Sequence, residues 1–258
     1  AQISVPENAW DSFIALTQKY PFMKKAHIKK AIQEGLSFFK LKILIKKEIV
    51  AWGIPEKDYD MNNTGKHLNA KEFNELIEKE DTLLIDMRNS YESEVGKFKN
   101  AICPKSKRSN ELIEEVRKIV KNNKDKEIAM YCTGGIRCEK ASSYMLKKGY
   151  KNLFQLKGGI LKYLEDIPES QSKWEGECFV FDNRVSIKNE LKNGTYELCH
   201  GCRMPVSNKD LKSEKYEKGV SCIKCFDLTS IQKKKKLRER NKQIEIAKRK
   251  GIYNPYIK

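Results

Sequence analysis

The run Cys132-Thr133-Gly134-Gly135-Ile136-Arg137-Cys138 has the residue types and spacing of a sulfur nucleophile. An apolar, strand-like segment, Ile128-Ala129-Met130-Tyr131, delivers Cys132 into a loop with two glycines. Arg137 closes the loop, and a helical pattern from Glu139 to Lys148 follows. A thiol placed there faces backbone N–H groups and the positive end of a helix, which favour thiolate over thiol. Glycine lets the backbone turn inward without a Cβ clash. The pattern predicts an ionised, solvent-reachable Cys132, with Arg137 and the loop N–H groups stabilising anionic character. Thr133, Gly134, Gly135 and Ile136 form the loop wall. Cys138 could resolve an oxidised Cys132, or equally fill space in the first turn of the helix. A glycine turn that merely contains a cysteine would need neither Cys132 nor Arg137.

A second constellation lies downstream. Cys199-His200-Gly201-Cys202 and Cys222-Ile223-Lys224-Cys225 are two Cys-x-x-Cys knuckles at the spacing of a four-cysteine structural zinc site. In so short a segment, metal binding would supply much of the folding energy. A redox dithiol pair is the competing reading. His200 reads as a neighbour, because Cys199, Cys202, Cys222 and Cys225 already complete a tetrahedral shell.

The elements around the first loop alternate. Asn69 and Glu72 form a capping box that opens a helix. Thr82-Leu83-Leu84-Ile85-Asp86 is a short strand, Leu112 to Lys121 a helix, and Ile128 to Tyr131 the reactive strand. The helix after the loop ends at Gly149. Asn152-Leu153-Phe154-Gln155-Leu156 is another strand, and Gly158-Gly159 opens a last helix to Asp166. Strand–helix alternation predicts an α/β unit with a parallel sheet covered on both faces, and a nucleophile at a strand's C-terminal end. Before it, Asn8 is a candidate cap for a helix with Trp10, Phe13, Ile14, Leu16 and Tyr20 on one face, and Leu41 to Val50 reads as a strand. After Pro168, Trp174 to Asp182 reads as one alternating strand. A mostly polar helix runs from about Thr229 to Lys250, with a thin seam of Leu237, Ile244 and Ala247. The expected organisation is a partial α+β domain (1–54), a turn-rich linker (55–67), the α/β domain (68–170), and a Cys-rich tail with a basic helix (171–258).

The chain has 258 residues and a net charge of +17, with eleven Lys/Arg against two Glu from Ile231 to Lys258. That excess favours encounter with polyanions such as nucleic acid, unless it only reflects a lysine-rich proteome. No stretch approaches the roughly 18 continuous apolar residues of a membrane span. No secretory signal is visible at the start, and the lack of an initiator methionine implies a longer natural chain. Eight cysteines arranged for metal and thiol chemistry, rather than as a disulfide framework, suit a reducing, cytoplasmic compartment.

The tight loop is similar to that of the rhodanese family, which carries a cysteine persulfide; cysteine phosphatases use a loop one residue longer. Nearly the entire chain resembles the bacterial rhodanese-like tRNA uridine hydroxylases. The resemblance rests on the run Lys42 to Val50, Asn63-Thr64-Gly65-Lys66, Leu68 to Phe73, Asp86-Met87-Arg88-Asn89, Tyr91-Glu92, Gly96 and Phe98 to Ile102. It also rests on the stretch Met130 to Ala141, on Gln155-Leu156 with Gly158-Gly159-Ile160, and on the Trp174 to Arg184 segment. It implies a rhodanese domain, a partial ferredoxin-like (acylphosphatase-type) domain before it, and Cys132 as the essential cysteine. The implied activity is oxygen-dependent hydroxylation of the wobble uridine of tRNA to 5-hydroxyuridine, with molecular oxygen as co-substrate and the anticodon region as partner. Asp86 and Arg88 then brace the loop as a buried pair. Alternatives are a persulfide-carrying sulfurtransferase, or a zinc-stabilised RNA-binding module with an inactive rhodanese domain.

Overall fold

The computed structural model describes residues 3–24, 26, 28, 30, 32, 37–38, 43–48 and 50–252. The chain divides into two compact units, Ala1–Ile43 with Lys242–Lys258, and Leu44–Asn241. In the first, helix α1 (Trp10–Lys19) follows a 3-10 turn, Glu7–Ala9, closed by the Ala9 N–H on the Pro6 carbonyl at 3.0 Å. The turn follows Pro6, whose φ is fixed, so Asn8 lies inside it and does not cap the helix. Thr17 is buried on α1, while Leu16 and Tyr20 are exposed, which makes the apolar face narrower than its sequence pattern. Of the strand expected from Leu41 to Val50, Leu41, Lys42 and Ile49 lie outside the described residues, and 43–48 carry no strand. A strand exists only where a neighbour completes its hydrogen-bond ladder, and among the described residues this segment has none.

The second unit is built on strands β1 (Lys66–Leu68), β2 (Leu83–Asp86), β3 (Gly96–Phe98), β4 (Ile128–Tyr131) and β5 (Leu153–Leu156). Interleaved with them are helices α2 (Ala70–Ile77), α3 (Ser90–Ser93), α4 (Ser109–Val120), α5 (Ile136–Lys147) and α6 (Gly159–Asp166). Four strands form a parallel sheet in the order β1-β5-β4-β2. All four residues of β4 are buried, and the pleat sends them alternately to two cores. Ile128 and Met130 meet Leu112, Val116, Ala141 and Met145 from α4 and α5. Ala129 and Tyr131 meet Phe73 from α2 and Ile160 and Tyr163 from α6. β4 is thus an interior strand, and its C-terminal end opens at the sheet edge where ligands bind in such folds.

β1 lies in residues whose turn-rich sequence reads as connector. It has only three residues and one buried side chain, too little for a strand signal, yet it pairs with β5 in register His67 to Gln155. Trp52 and Ile54, just upstream, are buried in the α5-side core.

The segment expected as one strand from Trp174 is two, β6 (Trp174–Gly176) and β7 (Cys178–Phe179). Gly176 takes φ +83°; the Glu177 N–H still binds the Val95 carbonyl at 3.0 Å, while its carboxylate accepts from Ser186 Oγ at 2.6 Å and from Thr195 N at 2.8 Å. β6 runs antiparallel to β3 with Phe98 opposite Trp174. The Phe98 ring packs edge-on against Tyr131, Tyr163 and Trp174 at centroid distances of 4.8, 4.7 and 5.2 Å. β7 pairs with β8 (Ser186–Ile187), and β9 (Glu197–Leu198) with β10 (Pro205–Val206). Helix α7 (Ile231–Arg249) has no buried residue; Leu237, Ile244 and Ala247 are half-buried along one side. No helix among the described residues is long and apolar enough to cross a membrane.

Candidate active site

Cys132 directly follows β4, and α5 begins at Ile136, so the loop between them is four residues long. Gly135 has φ +99°, a conformation that favours glycine, and its N–H donates to Cys132 Sγ at 3.1 Å. The loop is clamped from outside by α6. Ile160 N–H binds the Cys132 carbonyl at 3.0 Å, and Leu161 N–H binds that of Thr133 at 3.1 Å. With the carbonyls held by the start of α6, the loop N–H groups are left to face the sulfur. Gly159 makes the clamp fit. A Cβ there would lie 2.5 Å from the Cys132 carbonyl oxygen and 2.6 Å from that of Thr133.

Cys132 is lowered from its ordinary thiol range to about 6. A hydrogen bond from the Cys138 thiol does most. Burial opposes it, and the Arg137 charge with the N–H groups of Cys138 and Arg137 adds to the lowering. Cys138 moves the other way, pushed up by burial and then by the neighbouring thiolate. Cys132 is therefore the ionised member of the pair. It is not solvent-reachable as its sequence suggests: it is 1 % exposed and belongs to the α5-side core. The loop wraps the sulfur so that its amides can reach it. Gly134 and Ile136 are the exposed members above, and Thr133 and Gly135 are buried.

Arg137 is braced by a residue that sequence reasoning did not place in the site. Its Nη1 and Nη2 donate to Oε1 and Oε2 of Glu92, both at 2.8 Å, and Nη2 lies 3.4 Å from Thr133 Oγ1. Glu92 is fully buried at the third position of α3, where it also caps Asn89 N. Burial alone would lower Arg137; the Glu92 carboxylate outweighs it and holds the guanidinium charged.

Asp86, at the end of β2, and Arg88 form a fully buried pair with two bonds, 2.8 and 2.6 Å. Arg88 also binds the Gly96 carbonyl at 2.7 Å, while Ser93 and Tyr131 hydroxyls donate to Asp86, each at 2.9 Å. The pair ties β2, α3, β3 and β4 together beneath the loop, and the Trp174 ring lies 5.1 Å from the Arg88 guanidinium. Two further polar groups meet α5. Lys140 donates to Glu48 and to the Val50 carbonyl at 2.6 and 2.9 Å, and Glu139 joins His67 at 2.7 Å and Gln155 at 3.2 Å. Their partners are distant in sequence, so spacing gives no signal for them.

The four downstream cysteines converge. Their Sγ atoms all lie within 4.8 Å of one another, with Cys199–Cys225 at 3.8 Å, Cys202–Cys222 at 3.7 Å and Cys222–Cys225 at 3.9 Å. Tetrahedral coordination with metal–sulfur bonds of about 2.3 Å places sulfurs about 3.8 Å apart, so the set could hold a metal ion. Gly201 permits the approach of the knuckles, since a Cβ there would meet the Val220 carbonyl oxygen at 2.2 Å.

Residues 69–166 match the rhodanese-like domain family. Among solved structures, the chain is similar to a rhodanese-related protein of Thermoplasma volcanium, with 27% identity over 40% of this chain and 95% of that one and a TM-score of 0.33. It is also similar to a single-domain sulfurtransferase of Saccharomyces cerevisiae, with 22% identity, coverage of 40% and 90%, and a TM-score of 0.33. The tRNA uridine(34) hydroxylase of Teredinibacter turnerae is 44% identical over 234 residues, 91% of this chain and 73% of that protein. Similarity of that extent runs through the reactive loop and well beyond the rhodanese-like segment, and the chain belongs to the tRNA uridine(34) hydroxylase family.

Proposed function

We infer that this chain hydroxylates C5 of uridine 34 in tRNA, forming 5-hydroxyuridine with molecular oxygen as co-substrate and Cys132 as the nucleophile. The observation that carries the reading is a buried cysteine made anionic at neutral pH by the Cys138 thiol, Arg137 and loop amides. C5 of uracil becomes a strong nucleophile once an anion adds at C6. A Cys132 thiolate can make that bond, leaving an electron pair on C5 to meet oxygen. The loop N–H groups hold the sulfur as anion before addition and after its release. Arg137, fixed by Glu92, contributes charge without freedom to swing, and the Asp86–Arg88 pair keeps the strand ends in register.

Four cysteines at tetrahedral separation support zinc as the resident metal of the tail, held by Cys199, Cys202, Cys222 and Cys225. Zinc there would cross-link the two knuckles over a small core of Val206, Leu211 and Tyr216. The lysine- and arginine-rich α7 suits contact with tRNA phosphates, and the anticodon arm is the part that must reach Cys132. Action on tRNA and abundant free thiols fit the cytoplasm.

The test is mass spectrometry of tRNA incubated with the protein under oxygen and under nitrogen, beside Cys132→Ser. Oxygen-dependent 5-hydroxyuridine that vanishes in the variant supports the reading. Transfer of sulfur to tRNA with no 5-hydroxyuridine would replace it with a sulfurtransferase.

A further inference from the structure

Converting C5–H to C5–OH with dioxygen leaves one oxygen atom to be reduced to water. That reduction takes two electrons beyond those of the C–H bond. The site contains a pair of groups able to supply them. Cys138 is fully buried in the first turn of α5 and packs in the same core as Cys132. Cys132 opens the short loop and Cys138 lies in the helical turn that this loop leads into. Other thiols are engaged elsewhere: Cys103 points to the Ala101 carbonyl, Cys178 to that of Phe179, and the remaining four cysteines gather in the tail.

We propose that Cys138 is a catalytic residue, the built-in electron donor of the hydroxylation, and that each turnover closes a Cys132–Cys138 disulfide. The inference rests on the hydroxylase reading above. Cys132 adds to C6, and the pair left on C5 bonds to dioxygen, giving a C5 hydroperoxide once the Cys138 proton is transferred. The Cys138 sulfur takes the terminal oxygen as the O–O bond breaks, so C5 keeps one oxygen as hydroxyl and Cys138 becomes a sulfenic acid. Loss of the C5 hydrogen as a proton restores the C5–C6 double bond and expels the Cys132 thiolate. That thiolate attacks the Cys138 sulfur, the S–S bond forms, and hydroxide leaves as water. In sum, C5–H, dioxygen and two thiols give C5–OH, a disulfide and water. A small-molecule or protein dithiol reductant then reopens the disulfide by exchange.

The structure suits this role in two ways. One sulfur is a thiolate and its partner a thiol, so the pair holds both a nucleophile and a proton donor. Burial of Cys138 shields the donor until substrate engages the loop, which protects it from oxidation in solution.

The experiment uses the full chain, reduced, freed of reductant under nitrogen, mixed with tRNA and then given oxygen. The expected yield is one 5-hydroxyuridine per chain. It should appear together with a disulfide joining two tryptic peptides, because cleavage after Arg137 separates Cys132 from Cys138. Added dithiothreitol should convert this burst into repeated turnover. Cys138→Ser keeps a hydroxyl donor beside Cys132, so the Cys132 thiolate absorbance should persist while the burst is lost. A full burst from Cys138→Ser, or a wild-type burst without the disulfide, overturns the proposal alone. If the wild type makes no 5-hydroxyuridine even with dithiothreitol and oxygen, the hydroxylase reading falls and this inference with it.

Discussion

The guanidinium of Arg137 lies in a two-pronged ion pair with Glu92, each contact 2.8 Å, so the cation of the reactive loop is matched by a buried carboxylate forty-five positions earlier. Replacing Glu92 by Gln leaves Arg137 charged, almost fully buried and without its counter-ion. Removing one member of such a pair costs about 3–5 kcal/mol. Urea unfolding of Glu92→Gln should show a loss of that order, with lower activity. A change below about 0.5 kcal/mol, the range of neutral surface substitutions, would mean that the pair is dispensable.

Ultraviolet thiolate absorbance, taken as the difference between the wild type and Cys132→Ser, reports the ionisation of the buried Cys132. With the folded value lowered to about 6, that absorbance should rise through pH 6 and be level by pH 8, where a free thiol of about 8.5 is still mostly protonated. The same depression contributes stability that is complete above the unfolded thiol value and fades as pH falls towards 6. An absorbance midpoint near 8.5 would show that the loop does not stabilise the anion.

Gly159 sits far from the sulfur in sequence but touches the loop carbonyls. Gly159→Ala would place a Cβ against two carbonyl oxygens and impose a φ of +67° on alanine. The strain is on the order of 1–3 kcal/mol, and relief requires the loop to move. The expected signature is an upward shift of the Cys132 thiolate-absorbance midpoint with a largely intact circular dichroism spectrum. An unshifted midpoint would separate the clamp from reactivity.

The cysteine cluster should carry one zinc ion per chain by atomic emission. Cys222→Ser should release it and loosen the segment around β9 and β10, seen as faster amide exchange there, while the parallel sheet stays protected. Full metal content in that variant would show that the knuckles are not the site. Charge reversal at Lys235 and Lys236 on the exposed α7 should weaken tRNA binding and flatten its dependence on salt.

The reactive loop could be read directly because its nucleophile, glycines and arginine are contiguous, and the four-cysteine set because its spacing reflects tetrahedral coordination. Features that depend on distant partners could not. Arg137 reads as a free anion-stabilising group, since nothing local announces Glu92, whose pairing with Asn89 looks like an ordinary capping box. Burial of Cys132 is also set from afar, by α6 closing over the loop. β1 is too short to leave a pattern, and the break between β6 and β7 depends on one glycine whose φ the sequence does not state. Asn8 is a good cap residue by type, but Pro6 two residues earlier leads instead into a tighter turn.

The pairing of β3 with β6 bears on where an independent folding unit can end. The match to rhodanese-like domains stops at residue 166, yet Trp174 flanks Phe98 and lies against the guanidinium of Arg88. A fragment truncated at the homology border would uncover an aromatic nest and admit water to a salt bridge built for a dry interior. The rhodanese-like segment and the residues after it are welded along one seam, and neither can be cut away without baring the other's buried face.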